Sequence, residues 1–342
     1  MSFVATTPPR TTTEPLLAVS GLSKRFPVAT DFFGRATSFL SAVDDVTLDI
    51  RRGETLALVG ESGSGKSTLA RLILRLIEPT SGSVRFEDTE VLQASKSQMR
   101  NFRRQAQIIL QDPFESLDPR MKGAAVVGEG MSHLGLDKTA RRRRVDELLD
   151  LVQLPGDAAG RFPHEFSGGQ RQRLSIARAL AVDPAFIVAD EPVSALDVSM
   201  QSQVLNLLRD LQDRLGLTYL FISHDMSVVR HMADRVAVMY LGRIVEVAPA
   251  DELFTNPLHP YSQALLSAVP SLIVGRPNER IRVPGETTMT SDLHACRFAN
   301  RCFRPLDVCR QQRPPLEAIP GHPDHFVACF NYAPLTDSER MA

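Results

Sequence analysis

The 342-residue chain lacks an excess of charge of either sign: 39 Lys and Arg stand against 40 Asp and Glu, a formal net charge of −1. That balance excludes a general role in coating nucleic acid, whose phosphates call for a strongly basic partner. Long hydrophobic runs are missing too. The longest, such as 236–241, fall far short of the roughly 20 residues that a bilayer-spanning helix needs. The opening stretch 1–15 is rich in Thr and Pro and has no apolar core, which predicts a mobile tail, not a secretory leader or a membrane span. Cysteine is scarce, yet all four residues, Cys296, Cys302, Cys309 and Cys329, lie beyond residue 295. What remains is ordinary for a folded protein: 43% hydrophobic and 23% charged residues, in a length that suits roughly two domains.

Hydrophobic patterning organises the chain from residue 16. Strand-like text covers 16–19, then Val46, Leu48 and Ile50 alternate with polar neighbours, and 55–59 reads as a buried strand. The intervening 29–41, with Asp31, Gly34 and several Ser and Thr, reads as an inserted loop. Beyond residue 59, apolar residues at helical spacing (Leu69, Leu72, Ile73, Leu76; Val145, Leu148, Leu149, Val152; Val204, Leu207, Leu208, Leu211, Leu215) alternate with short apolar runs at 186–189 and 219–222. Strands separated by amphipathic helices predict an α/β domain with a mainly parallel sheet and helices on both faces. A hairpin is expected over 236–247. After Pro249 proline becomes frequent, regular elements should be short, and a domain boundary is expected near 250.

The run Gly60-Glu61-Ser62-Gly63-Ser64-Gly65-Lys66-Ser67 fits the phosphate-loop pattern and stands between a buried strand and an amphipathic helix, the context that pattern requires. Gly60, Gly63 and Gly65 let backbone N–H groups of the loop, Ser62 included, turn towards a phosphate. The helix start at Thr68 adds its positive dipole end, Lys66 reaches the terminal phosphates and Ser67 ligates Mg²⁺. The apolar run 186–189 ends in Asp190 and Glu191. At such a strand end Asp190 would hold Mg²⁺, leaving Glu191 to orient and polarise an attacking water.

Further motifs carry a family resemblance. Phe166-Ser167-Gly168-Gly169-Gln170 resembles the signature sequence of ATP-binding-cassette (ABC) ATPases, and Gln111 before Asp112-Pro113, Ser194-Ala195-Leu196-Asp197 and His224 after Ile222-Ser223 follow that family's motif order. The resemblance implies a cassette over 16–250 with an N-terminal antiparallel β subdomain and a helical subdomain near 112–170, followed by a small irregular extension over 251–342. It implies head-to-tail pairing of two cassettes, in which Ser167, Gly168, Gly169 and Gln170 of one subunit face the γ-phosphate held by the other. Phe26 would stack on adenine, Gln111 would touch Mg²⁺ or the lytic water, His224 would sense the γ-phosphate, and Asp197 would act across the seam.

With a single phosphate loop and a single signature, the active unit needs a second cassette, a paralogue or a second copy. The stretch Pro257-Leu258-His259-Pro260-Tyr261-Ser262 and the wording around Gln111 and Glu191 are similar to oligopeptide/dipeptide importer ATPases. That likeness implies MgATP-driven uptake of di- or oligopeptides through two membrane-spanning permease subunits fed by an extracellular substrate-binding protein, the ATPase lying peripherally on the cytoplasmic face of the cell membrane, with no nucleic-acid partner. Two other readings remain open: a soluble cassette protein acting on ribosomes or DNA, and an importer ATPase for nickel or glutathione. The four cysteines suit either zinc or an iron–sulfur cluster, and His294, His322 and His325 leave mixed zinc ligation open. The resemblance favours a [4Fe-4S] cluster.

Overall fold

The computed structural model describes residues 15–30, 36–112, 116–268, 281–285 and 294–334. Most of the expected N-terminal tail, Pro113 of the Gln111 motif and Pro270 lie outside these described residues. In chain order the strands are β1 (Pro15–Thr30), β2 (Ala36–Arg51), β3 (Thr55–Val59), β4 (Ser81–Phe86), β5 (Thr89–Glu90), β6 (Ala106–Ile109), β7 (Phe186–Asp190), β8 (Thr218–Ile222), β9 (Arg235–Tyr240), β10 (Arg243–Pro249), β11 (Glu317–Ile319) and β12 (His322–Val327). The helices are α1 (Lys66–Ile73), α2 (Lys96–Gln105), α3 (Gly123–Gly128), α4 (Lys138–Leu151), α5 (Gly168–Leu180), α6 (Val198–Leu215), α7 (Met226–Met232), α8 (Ala250–Thr255) and α9 (Pro260–Ser267). No helix among the described residues is long and apolar enough to cross a membrane.

The chain forms two units, one comprising Met1–Ala18, Asp49–Thr55 and Arg85–Ser223, the other Val19–Leu48, Leu56–Val84 and His224–Ala342. The first is built on three parallel strands, with β7 between β6 and β8. β7 and β8 are buried at every residue, which explains their continuous apolar text: a parallel strand covered on both faces has no solvent side to alternate towards. The helix α6 links β7 to β8 and buries Val204, Leu207, Leu208 and Leu211, while Leu215, its last residue, is exposed. Between β6 and β7 the described residues form only helices and turns, and α4 buries Val145, Leu148 and Leu149.

In the second unit the strand order is β11-β12-β10-β9-β3. β3 and β9 are parallel, whereas β9 and β10 form the expected hairpin around Leu241 and Gly242. Both turn residues have positive φ, 44° and 86°, as a two-residue hairpin turn matched to strand twist requires. The strand ladder does not stop at β10: β12 pairs antiparallel with it, Glu246 opposite Val327, and β11 with β12. The core of this unit joins Ala57, Val59, Val236, Val238, Tyr240, Val245, Leu253, Tyr261 and Phe298, so residues on both sides of 250 share one apolar cluster.

Two expectations are corrected. The stretch 29–41 is not a loop throughout, because β1 continues to Thr30 and β2 starts at Ala36. Val28 and Phe39 in these arms are exposed, so no core-facing alternation announces the strands; the backbone pairing of β1 with β2 carries them. Leu76 does not continue the buried stripe of α1. Arg75 adopts a left-handed φ of 49° after the helix ends, and Leu76 is exposed.

Polar groups tie the last hairpin down. Glu246 of β10 is fully buried; its carboxylate accepts from the backbone N–H groups of Leu258 (2.8 Å) and His259 (3.0 Å) and meets His325 Nε2 at 2.8 Å. His325 Nδ1 lies 3.3 Å from Glu252, which also faces His322 at 3.5 Å. Burial works against the charged imidazole of His325, but hydrogen bonds to the two carboxylates outweigh it and raise its pKa above 6.5. A raised folded-state value means stability fully present below pH 6.5 and lost as pH climbs through the folded value. Thermal melting should therefore fall as pH rises from 6.5, and His325→Gln should flatten that slope; an unchanged slope in the variant would contradict the assignment.

Candidate active site

The phosphate-loop run leaves β3 and enters α1, and its shape depends on two glycines. Gly60 (φ 153°) and Gly65 (φ 105°) occupy backbone conformations that side chains rarely adopt, and a Cβ at these positions would stand 2.1 Å from Met239 O and 2.2 Å from Ala42 O. The loop is thus clamped between two backbones. Gly242 N–H donates to Ser64 O (2.7 Å) and Asp44 N–H to Gly242 O (2.9 Å), and Asp44 takes Arg243 Nε at 2.6 Å and Arg297 at 2.7 Å. Lys66 is buried, its ammonium donating to Gly60 O (2.8 Å), Glu61 O (3.0 Å) and Ser64 Oγ (3.5 Å). Ser62 and Gly63 are exposed at the loop tip, and Ser67 and Thr68 are half-buried in the first turn of α1. This arrangement offers backbone N–H groups, a helix start and one cation to a polyphosphate.

In the same unit Phe26 is half-buried on β1, with the Lys24 ammonium 5.1 Å from its ring centroid. His224 is exposed in the turn before α7.

The other unit holds the acidic pair. Asp190 is buried at the end of β7, and Glu191 follows it with φ 47°, a left-handed conformation that costs a non-glycine residue roughly 1 kcal/mol or more. Two contacts hold it there: Glu191 N–H donates to Ile222 O (3.0 Å), and its carbonyl accepts from Ser194 Oγ (3.0 Å). The turn brings the Glu191 carboxylate to Gln111 Nε2 at 2.8 Å, joining two residues 80 apart in sequence.

The signature residues sit at the start of α5. Ser167 caps the helix, its Oγ accepting from Gln170 N–H (3.3 Å) while its own N–H donates to Gln170 Oε1 (3.1 Å). Asp197 caps α6 in the same way, accepting from Met200 N–H at 2.9 Å and from Ser199 Oγ at 3.0 Å, bonds that hold its carboxyl below the usual carboxylate range. The two caps are neighbours: a Cβ on Gly169 would lie 2.8 Å from Met200 Sδ and one on Gly168 3.4 Å from Leu196. Two helix N-termini, with exposed Ser167 and Asp197, thus share one surface.

Residues 43–194 match the ABC transporter profile, and 245–309 match the oligopeptide/dipeptide transporter C-terminal region. A putative peptide import ATP-binding protein of Brucella ovis is 49% identical over 93% of this chain and 98% of its own length. The chain belongs to the ATP-binding subunits of ABC transporters. The oligopeptide transport ATP-binding protein AppF of Bacillus subtilis is 46% identical over 94% of this chain and 98% of its own length. Among solved structures, a dimeric ATP-binding cassette in a post-hydrolysis state bound to ADP and Pi superposes with a TM-score of 0.61 at 28% identity, covering 68% of this chain and 98% of the cassette. The cbiO1 subunit of Clostridium perfringens, part of an ABC transporter complex, has the same score and identity over 71% and 91%.

The cysteines of this ABC ATPase line one small cavity, together with His259, Phe298 and Arg304. None forms a disulfide. Burial, with repulsion between the thiols, pushes Cys296 up to about 11 and Cys329 up to about 12, while backbone N–H groups of Phe298, Arg304 and Asn331 donate to Cys296, Cys302 and Cys329 and favour the thiolate. Among the described residues no three His, Cys, Asp or Glu close round a point that could hold a single metal ion. His322 and His325 face Glu252 and Glu246, which takes these two away from mixed ligation with the cysteines. His259 stands at the cavity, but burial pushes its pKa down to about 4 and its Nδ1 accepts from Tyr261 N–H.

Sequence reasoning missed Tyr261 and Arg301 as neighbours of the phosphate loop. Tyr261 Oη accepts from Glu61 N–H at 2.9 Å, and Arg301 contacts the Glu61 carboxylate at 3.2 Å. Separations of 200 and 240 residues leave no local signal for either. Gly65→Ala should lose measurable nucleotide binding in calorimetry, since the left-handed backbone and Ala42 O leave no room for a methyl group; retained affinity would refute the clamp.

Proposed function

We propose that this ABC ATPase hydrolyses MgATP to drive uptake of di- and oligopeptides through two partner permease subunits, fed by an extracellular substrate-binding protein. It would work beside a second cassette, a paralogue or another copy, as a peripheral subunit on the cytoplasmic face of the membrane and with no nucleic-acid partner. The observation that carries the hydrolytic part is Glu191, held in a strained backbone conformation that delivers its carboxylate to Gln111. The peptide part rests on the C-terminal match at 245–309 and on the names of the relatives, which favour it over nickel, glutathione or a ribosome-directed role. We assign the cassette to 16–250, its helical subdomain to about 112–170 and the extension to 251–342.

The residue roles follow from their chemistry. Gly60, Ser62, Gly63 and Gly65 of the loop, with Ser67 and Thr68, bind the phosphates, and Lys66 neutralises the terminal ones. Ser67, Asp190 and Gln111 would offer Mg²⁺ oxygen ligands, the hard donors that suit that ion. Phe26 offers its ring to adenine. Glu191 orients a water and takes its proton as the oxygen attacks the γ-phosphorus and the bond to the β-phosphate oxygen breaks, releasing ADP. His224 bonds the γ-phosphate. Ser167, Gly168, Gly169 and Gln170, at one helix start, meet the nucleotide of the opposing subunit, whose anion suits that polarity, while Asp197, the cap of the next helix, acts across the seam. Glu191→Gln should keep nucleotide binding and lower turnover about 100- to 10,000-fold; wild-type turnover would remove Glu191 from this role. Lys66→Ala should lose nucleotide affinity, and unchanged binding would reject the loop assignment.

We assign Cys296, Cys302, Cys309 and Cys329 as ligands of a [4Fe-4S] cluster. The support is their common cavity and the N–H of Asn331 that donates to Cys329 Sγ. When bound, such a cluster supplies a covalent cross-link between the segments that carry the four thiolates. Anaerobic purification should yield iron and acid-labile sulfide in equal amounts; one zinc and no iron per chain would overturn the assignment.

A further inference from the structure

The second residue of the phosphate loop is gripped from three sides. Glu61 N–H donates to Tyr261 Oη (2.9 Å), its carboxylate takes Arg301 at 3.2 Å, and its carbonyl is one of the two that hold the Lys66 ammonium, at 3.0 Å. Glu61 itself is not among the groups expected to meet phosphate, so these bonds act on nucleotide through the shape of the loop and the seat of Lys66.

The grips lead to the cysteine cavity. Tyr261 packs against Tyr240 (4.6 Å between ring centroids) and Phe298 (5.5 Å), and Phe298 stands edge-on to Tyr240 at 5.2 Å. Arg301 also reaches Tyr240 Oη, at 3.3 Å. Cys296 and Cys302 pack on this aromatic cluster, and they bracket the stretch that contains Arg297, Phe298 and Arg301. A second line runs from the same stretch: Arg297 holds Asp44 and donates to Leu241 O, and Asp44 and Gly242 carry the line to Ser64 O of the loop. Burial pushes the Tyr261 phenol up, so its hydroxyl stays protonated.

We propose that residues 296–302, with Tyr261, form a positioning arm for the phosphate loop, so that an alteration at the four-cysteine cavity changes the affinity for magnesium nucleotide. Arg301 and Tyr261 are its positioning residues and Glu61 is the point at which they act. The proposal rests on the reading that this loop binds nucleotide.

Calorimetric titration of the full chain with MgADP tests it. Loss of one net hydrogen bond in Tyr261→Phe should weaken binding roughly three- to tenfold, as should Arg301→Ala. Arg301→Lys, which keeps the charge beside Glu61, should recover most of that loss. Cys302→Ser should weaken MgADP binding in the wild-type background, and its loss should be less than additive with that of Arg301→Ala, because both residues belong to the one stretch 296–302. If Arg301→Ala fails to fold, Tyr261→Phe decides, since it keeps the ring and its packing. Affinity within twofold of wild type in Tyr261→Phe, or strictly additive losses for Cys302→Ser and Arg301→Ala, would overturn the arm. A wild-type chain that binds no MgADP would instead strike at the nucleotide reading itself.

Discussion

The shape of the loop from Gly60 to Ser67 depends on the close approach of two carbonyls, Met239 O and Ala42 O, to glycines 60 and 65. A loop whose N–H groups must converge on an anion has few internal hydrogen bonds of its own, so its shape has to be imposed from outside. Here the hairpin between β9 and β10 imposes it: Gly242 bonds Ser64, and the left-handed turn residues Leu241 and Gly242 place that bond. Lys66 completes the seat by turning its ammonium on to the loop's own carbonyls, which satisfies its buried charge.

The acidic pair works by a different principle. Asp190 ends a fully buried strand, and its place follows from the register of β7 between its neighbours. Glu191 leaves that register through an unfavourable φ, stabilised by main-chain bonds to Ile222 and from Ser194. Such strain is retained where surrounding structure over-determines it, and the result is a carboxylate already oriented towards Gln111.

Much of this was legible because it is local. Strand β3, the glycine pattern and the amphipathic start of α1 adjoin one another in sequence, and the apolar run of β7 points straight to Asp190 and Glu191. The caps Ser167 and Asp197 were visible as residue types but not as neighbours, since the contact of Gly169 with Met200 depends on helix packing. The arms of β1 and β2 near 29–41 carry no strand signal in sequence because their exposed Val28 and Phe39 show no buried face. Most hidden was β12. Its sequence, His322, Pro323, Asp324, His325, Phe326 and Val327, reads as connection, and only pairing with β10 and the buried Glu246–His325 contact reveal a strand.

That last pairing has a further effect. A long, regular β10 at the margin of a sheet would present a row of unmatched peptide groups, the usual template for aberrant self-association. The hairpin of β12 and β11 covers it and leaves a three-residue outermost strand, too short and too irregular in register to recruit another chain. The stretch 317–327 is therefore the selvedge of this sheet, a short woven border beyond β10.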